Sequence, residues 1–247
     1  MTLKEFFLQH PKVAVAFSGG VDSSYLLYVA KLHGADVRAY FVKSQFQPQF
    51  ELDDAQRLSA ELDVPMTVLP LDVLQNKKVA QNTPMRCYDC KHTIFSTILR
   101  AAGADGYTVL LDGTNASDDA ADRQGTRALA ELQVFSPLFL CGLTKQQIRQ
   151  LSQEAGLFTW DKPAYACLAT RIPTGTPIDV DTLQKIELAE DALAHLGFYN
   201  YRVRVLGTMA KLQLPQELFT AALEQRDAIY AALLQHFDDI VLDLKPR

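Results

Sequence analysis

The sequence predicts an α/β fold: a parallel five-stranded sheet with helices on both faces, followed by a small C-terminal α+β domain. Three observations predict it. Short apolar runs of strand length alternate with stretches of helical periodicity up to Ala155, the pattern of a parallel sheet covered on both faces. A glycine turn, Ser18-Gly19-Gly20, joins the first apolar run to the first long helix. After an irregular, proline-bearing stretch over 156–179, the order becomes helix, strand, strand, helix, strand.

Thr2–Gln9 reads as a short amphipathic lead-in helix, and Val13–Phe17 as a fully buried strand. The helix after the glycine turn ends at Gly34, and Val37–Val42 is the second strand. Leu52, Ala55, Leu58 and Leu62 recur at helical spacing within Glu51–Leu62, and Pro65 forces an extended restart into a third strand, Met66–Leu71. Cys87–Ala102 carries a helical face of Ile94, Ile98, Leu99 and Ala102. Thr108–Leu111 is the fourth strand and Val134–Pro137 a short fifth. Thr144 and Gln147 form a capping box that opens a helix to Ala155. The stretch Gly156–Asp179 holds Pro163, Pro173 and Pro177; loops of that length are commonly functional or disordered, and Phe158, Trp160 and Tyr165 argue against disorder. Beyond it come a helix over Asp181–Leu196, a strand over Tyr199–Leu206, a second over Lys211–Leu214, one long helix over Glu217–His236 and a last strand over Asp239–Leu244. The expected domains are therefore 1–160, a loop and linker over 161–180, and 181–247.

A net charge of −5 argues against sequence-independent nucleic-acid binding, which needs an excess of Lys and Arg. No apolar run is long enough to span a bilayer, and Met1–His10 lacks the pattern of a secretory signal. A cytoplasmic protein without membrane or nucleic-acid partners is expected. In that setting Cys87, Cys90, Cys141 and Cys167 are expected as free, metal-binding or catalytic cysteines rather than disulfides.

Ser18-Gly19-Gly20-Val21-Asp22-Ser23 sits between strand and helix, where free backbone N–H groups and the positive helix end converge on one spot. The glycines admit a close anion, the serines add donors, and Asp22 can hold a metal ion. The spacing fits neither a Walker loop nor a dinucleotide fingerprint. Ser44 and Gly113-Thr114 also lie at strand carboxyl ends, where α/β sheets bind ligands. Asp118, Asp119 and Asp122 follow; such acids either hold Mg²⁺ or form a solvated helix start. Cys87-x-x-Cys90 fits a redox pair, half a zinc site or part of an iron–sulfur site. Three thiolates, with Cys167, can hold a four-iron cluster and leave one iron open. Cys141, in an apolar run, reads as a buried small residue. Arg202 and Arg204, two apart on a strand, project from one face and suit a phosphate or carboxylate, or a solvated face. The five histidines form no ligand spacing.

The loop resembles the PP-loop of the ATP pyrophosphatases (the adenine nucleotide alpha hydrolase-like fold). Ser-Gly-Gly-Val-Asp-Ser (18–23), Arg-Cys-Tyr-x-Cys-Lys (86–91), Asp-Gly-Thr-Asn (112–115) and Trp-Asp-Lys-Pro-Ala-x-Ala-Cys-Leu-Ala-x-Arg-Ile-Pro (160–173) occur in the order found in LarE. The chain thus resembles the ATP-dependent sacrificial sulfur transferases of nickel-pincer nucleotide biosynthesis. The resemblance implies adenylation of a carboxylate on a pyridinium dicarboxylate mononucleotide, with loss of pyrophosphate, and then sulfur insertion. The residues expected at an ATP site are Ser18, Gly19, Gly20, Val21, Asp22, Ser23, Ser44, Gly113 and Thr114, with Asp118 and Asp122 as candidate magnesium ligands. Cys167 and Asp22 are the implied catalytic residues, and Arg171, Arg202 and Arg204 the substrate-binding ones. One form of the family sacrifices a single cysteine, matching Cys167, as its own sulfur source; the other binds a 4Fe-4S cluster on three. With Cys87, Cys90 and Cys167 all in place, the cluster form is implied, as is a homo-oligomer. A tRNA thiolase and a redox-responsive nucleotide sensor are the alternatives.

Overall fold

The computed structural model describes residues 1–118 and 123–247 and divides into two compact units. The first comprises Met1–Val79 and Met85–Tyr165, the second Ala80–Pro84 and Ala166–Arg247.

The first unit runs α1 (Leu3–Gln9), β1 (Lys12–Ala16), α2 (Val21–Leu32), β2 (Asp36–Lys43), α3 (Gln49–Glu61), β3 (Met66–Pro70), α4 (Lys77–Ala80, which straddles the division), α5 (Arg86–Ala104), β4 (Leu110–Leu111), α6 (Arg123–Glu131), α7 (Pro137–Leu140) and α8 (Lys145–Glu154). Its sheet is parallel, in the order β3-β2-β1-β4. The expected fifth strand is reduced to one parallel bridge between Phe135 and Leu111. Pro137 ends the extended run by opening α7.

Strand alternation assigns the two faces. Val13, Val15, Phe17, Ala39 and Phe41 enter one core with α1, α2, α3 and α8, while Ala14, Tyr40 and Val42 enter another with Ile98 and Ala102 of α5. Helices therefore cover both faces. Thr2 with Glu5 and Thr144 with Gln147 form complete capping boxes, so α1 and α8 start where the chain itself satisfies the first free N–H groups. The chain leaves β1 toward β2 and β3, then returns to the other side of β1 as β4. The switch in strand order thus falls between the carboxyl ends of β1 and β4, where α/β sheets place ligands.

In the second unit Asp179 caps α9 (Val180–His195) by accepting from the Thr182 N–H at 2.7 Å. β5 (Arg202–Leu206) and β6 (Met209–Gln213) form an antiparallel pair, and β7 (Ile240–Leu242) adds in parallel to β6. Ile186, Leu193, Val203, Leu212, Leu214 and Leu233 are buried there. The expected long helix is broken into a 3₁₀ turn (Gln216–Leu218), α10 (Phe219–Glu224) and α11 (Arg226–Leu233). The break falls at Gln225, with φ −99° and ψ 16°. No Gly or Pro marks that position, so local propensity gives no sign of it. Asn82, fully buried with φ 53°, belongs to this unit. Its amide donates to the carbonyls of Pro173 (2.9 Å) and Thr176 (3.0 Å), which pins the stretch after Cys167. Among the described residues no helix is long and apolar enough to cross a membrane.

Candidate functional site

The turn between β1 and α2 has φ +69° at Gly19, a conformation that costs other residues about 1–2 kcal/mol. It is also crowded: a Cβ at Gly19 would meet the Glu51 carbonyl oxygen at 3.1 Å and Ala55 Cβ at 3.3 Å. Gly20 is the N-cap of α2. The serines brace the turn. The Ser18 N–H donates to Ser23 Oγ at 3.3 Å, Ser23 Oγ donates to the Gly20 carbonyl at 3.2 Å, and the two hydroxyls lie 3.1 Å apart.

The turn after β4 approaches closely. A Cβ on Gly113 would lie 2.9 Å from the Ser23 nitrogen, so only glycine leaves that N–H where it is. Asn115, fully buried, donates from Nδ2 to Asp22 Oδ1 at 3.3 Å. Asp118 caps the same turn by accepting from the Asn115 N–H at 2.8 Å. Asp112 is buried and accepts from Ser136 Oγ at 2.5 Å and from the Thr114 hydroxyl; burial raises its pKa above the ordinary carboxylate value. Burial also raises the pKa of Asp22, against the lowering effect of the Lys145 ammonium paired with it. Ser44 stands at the end of β2, where its hydroxyl donates to Gln47 Oε1 at 2.6 Å. Lys162, in the irregular stretch, contacts the turn directly: Nζ lies 3.2 Å from the Gly19 carbonyl and 2.6 Å from Asp54 Oδ2.

The cysteines divide between the two units. Cys87 (exposed) and Cys90 (half-buried) sit near the start of α5, three residues apart and hence on one helical face. Cys167 belongs to the second unit, is half-buried, and caps a 3₁₀ turn over Leu168–Arg171. Its carbonyl accepts from Thr170 Oγ1 at 2.9 Å and Arg171 Nη1 at 3.3 Å. Arg171 has no side-chain exposure; it makes a two-pronged pair with Glu190 at 2.8 and 2.9 Å and also donates to the Ala166 carbonyl. Arg204 donates to the Thr170 carbonyl at 2.7 Å and to Gln213. Arg202 Nε is buried without a hydrogen-bond partner among the described residues, and burial with neighbouring arginines pulls its pKa down to about 10.

A family model for the queuosine biosynthesis protein QueC matches residues 12–88, the part containing the glycine turn. An uncharacterized protein of Synechocystis sp. is 33% identical over 98% of this chain and 92% of its own length. The pyridinium-3,5-bisthiocarboxylic acid mononucleotide synthase of Lactiplantibacillus plantarum is 34% identical over 83% of this chain and 75% of the synthase. This chain belongs to that synthase family, LarE. It is therefore an enzyme, a sulfur-transferring member of the PP-loop ATP pyrophosphatases. A tRNA-specific 2-thiouridylase of Clostridium botulinum is more distant, 28% identical over 61% of this chain and 52% of its own length.

On this LarE-family framework the sequence-expected residues group unevenly. Ser18–Ser23, Gly113, Thr114 and Asp118 gather at the carboxyl ends of β1 and β4. Asp119 and Asp122 lie outside the described residues. Arg171 is expected to bind substrate, yet it is buried and spent on Glu190 and the Cys167 segment. Among the described residues no group of three His, Cys, Asp or Glu side chains is gathered to hold a metal. Lys145 and Lys162 are the site residues that sequence reasoning passes over. Lys145 reads as part of a capping box and Lys162 as part of the Trp-Asp-Lys-Pro motif; the pairing of each with the turn spans more than a hundred residues and leaves no local pattern.

Proposed function

We propose that this enzyme is the ATP-dependent sulfur transferase that converts pyridinium-3,5-biscarboxylic acid mononucleotide to its thiocarboxylate on the way to the nickel-pincer nucleotide. ATP adenylates a substrate carboxylate, pyrophosphate leaves, and sulfur then displaces AMP. A carboxylate is a poor acyl electrophile until it carries a good leaving group, and this chemistry supplies one. The observation that carries the reading is the Ser18–Ser23 turn, whose helix start carries no side-chain cap and which Gly113 approaches closely. Its N–H groups and hydroxyls suit the departing pyrophosphate. Gly113 and Thr114 border it, and Ser44 shapes the neighbouring turn.

Mg²⁺ fits the donor set here, because it commonly takes one or two carboxylates and completes its shell with phosphate and water. Asp22, with Asp118 nearby, would hold it, and it would supply charge neutralisation on the pyrophosphate. The unpartnered Nε of Arg202 favours an anionic ligand on that face of β5, such as a substrate carboxylate or phosphate. Arg171 and Arg204 act through the backbone, fixing the Cys167 segment. Cys167, half-buried, stands at the head of that segment.

For the sulfur source we propose the cluster form, on the donor set alone: Cys87, Cys90 and Cys167 are the three thiolates it needs. A cluster so held would leave one iron open to carry a sulfide. Because three ligands are not gathered among the described residues, no step above is routed through it. Anaerobic reconstitution with iron and sulfide should give cluster absorbance in the parent and not in Cys87→Ala; absence in the parent, with Cys167 losing its sulfur on turnover, selects the single-cysteine form. The activation half is tested by pyrophosphate release. It should require ATP and the dicarboxylate mononucleotide together, and release that ignores the mononucleotide would contradict the reading.

A further inference from the structure

Lys162 is rooted firmly and its ammonium is shared. Arg149 donates to the Trp160 carbonyl at 2.6 Å and the Lys162 carbonyl at 2.7 Å, which fixes the backbone that carries the side chain. Nζ then divides its donors between Asp54 Oδ2 at 2.6 Å and the Gly19 carbonyl at 3.2 Å, with the Phe50 ring 5.4 Å away. The Lys162 side chain is 15% exposed and Asp54 32%, so the pair is shielded but not sealed. Asp54 stands on α3, the helix whose Glu51 carbonyl and Ala55 abut Gly19. The carboxylate is therefore built against the same turn that the pyrophosphate would occupy.

An ammonium on a flexible four-carbon stem exchanges acceptors without moving its backbone. A polyanion in the turn and the Asp54 carboxylate would compete for the same three donors. We propose that Asp54 is a positioning residue that takes Lys162 back from pyrophosphate, so that this product is released from the turn rather than trapped. The inference rests on the reading of Ser18–Ser23 as the pyrophosphate site and adds to it a built-in competitor. Without Asp54, Lys162 would close on the anion and stay there. Without Lys162, the turn would hold pyrophosphate weakly.

The test is calorimetric titration of the full chain with magnesium pyrophosphate and, separately, with AMP. Asp54→Asn keeps the shape and removes the charge that makes such a hydrogen bond about twice as strong. It should tighten pyrophosphate binding roughly five- to tenfold and leave AMP within about twofold. Asp54→Glu should return pyrophosphate affinity toward the parent value. Lys162→Gln should weaken pyrophosphate by about tenfold or more, again sparing AMP. In turnover, Asp54→Asn should lower kcat more than it changes KM for ATP, with stronger inhibition by added pyrophosphate. Unchanged or weaker pyrophosphate binding in Asp54→Asn overturns the proposal, as do equal changes in pyrophosphate and AMP, the mark of a merely structural role. A parent protein that binds neither ATP nor pyrophosphate overturns the underlying reading as well, and is a distinct result.

Discussion

Replacing Glu190 by Gln tests how the Cys167 segment is held. Arg171 and Glu190 have side-chain exposures of 0% and 4%. Glu190 Oε1 accepts from Arg171 Nε at 2.8 Å and from the Val203 N–H at 3.0 Å, and Oε2 accepts from Arg171 Nη2 at 2.9 Å. All three partners are donors. A glutamine turns its NH₂ toward one of them and leaves the guanidinium buried without its counter-charge. Removing one member of a buried ion pair costs about 3–5 kcal/mol. With a urea slope of roughly 1–3 kcal/mol/M, the unfolding midpoint of the second unit should fall by about 1 M or more. The double replacement Arg171→Met with Glu190→Leu removes both charges but leaves the Ala166 and Cys167 carbonyls and the Val203 N–H without these partners, so it should recover only the part of the loss that comes from the uncompensated charge. Urea unfolding followed by circular dichroism, with hydrogen exchange at the Val203 amide as the local probe, reads both effects. A loss in Glu190→Gln below about 1 kcal/mol, or a double variant as weak as the sum of the singles, would falsify the argument that this pair fixes the Cys167 segment.

Gly113→Ala should fold but lose ATP binding by at least tenfold, because its Cβ would stand 2.9 Å from the Ser23 nitrogen; calorimetry with ATP checks it, and unchanged affinity contradicts the close approach. Asp112 has a folded pKa raised by burial, so its stabilising contribution is present below the unfolded carboxylate value and is lost as pH rises through the folded one. Asp112→Asn should therefore gain stability relative to the parent as pH climbs from about 4 to 7; a difference in melting temperature that is flat with pH counts against this. Cys167→Ser should retain ATP- and substrate-dependent pyrophosphate release while making no thiocarboxylate, measured by mass spectrometry of the product; loss of both halves would place Cys167 in the activation step instead.

Local chemistry made much of this fold readable. The apolar alternation of Val13–Phe17, the glycines at 19 and 20, and the Thr144–Gln147 capping box each encode their own conformation within a few residues. The closeness of Gly113 to Ser23 follows from strand order and is expected once both turns sit at carboxyl ends. What stayed hidden depends on distant partners. Pro137 cuts the fifth strand to one bridge, and the break at Gln225 has no breaker residue to announce it. The arginine at 171 reads as a ligand for an anion; Glu190, nineteen residues on, shows where its charge is spent. Lys145 and Lys162 are ordinary surface-type residues in the sequence, and only folding sets them against Asp22 and Asp54. Asn82 likewise gives no hint that it pins the stretch around Pro173 and Thr176.

The decisive experiment is an anaerobic incubation of the full chain, reconstituted with iron and sulfide, with ATP, Mg²⁺, added sulfide and pyridinium-3,5-biscarboxylic acid mononucleotide, followed by mass spectrometry of the small molecule and of the peptide containing Cys167. The expected product has sulfur in place of one carboxylate oxygen, forms only when ATP is present and is accompanied by AMP and pyrophosphate. An unchanged mononucleotide beside an intact Cys167 peptide, from protein that still binds ATP, would contradict the sulfur-transfer reading.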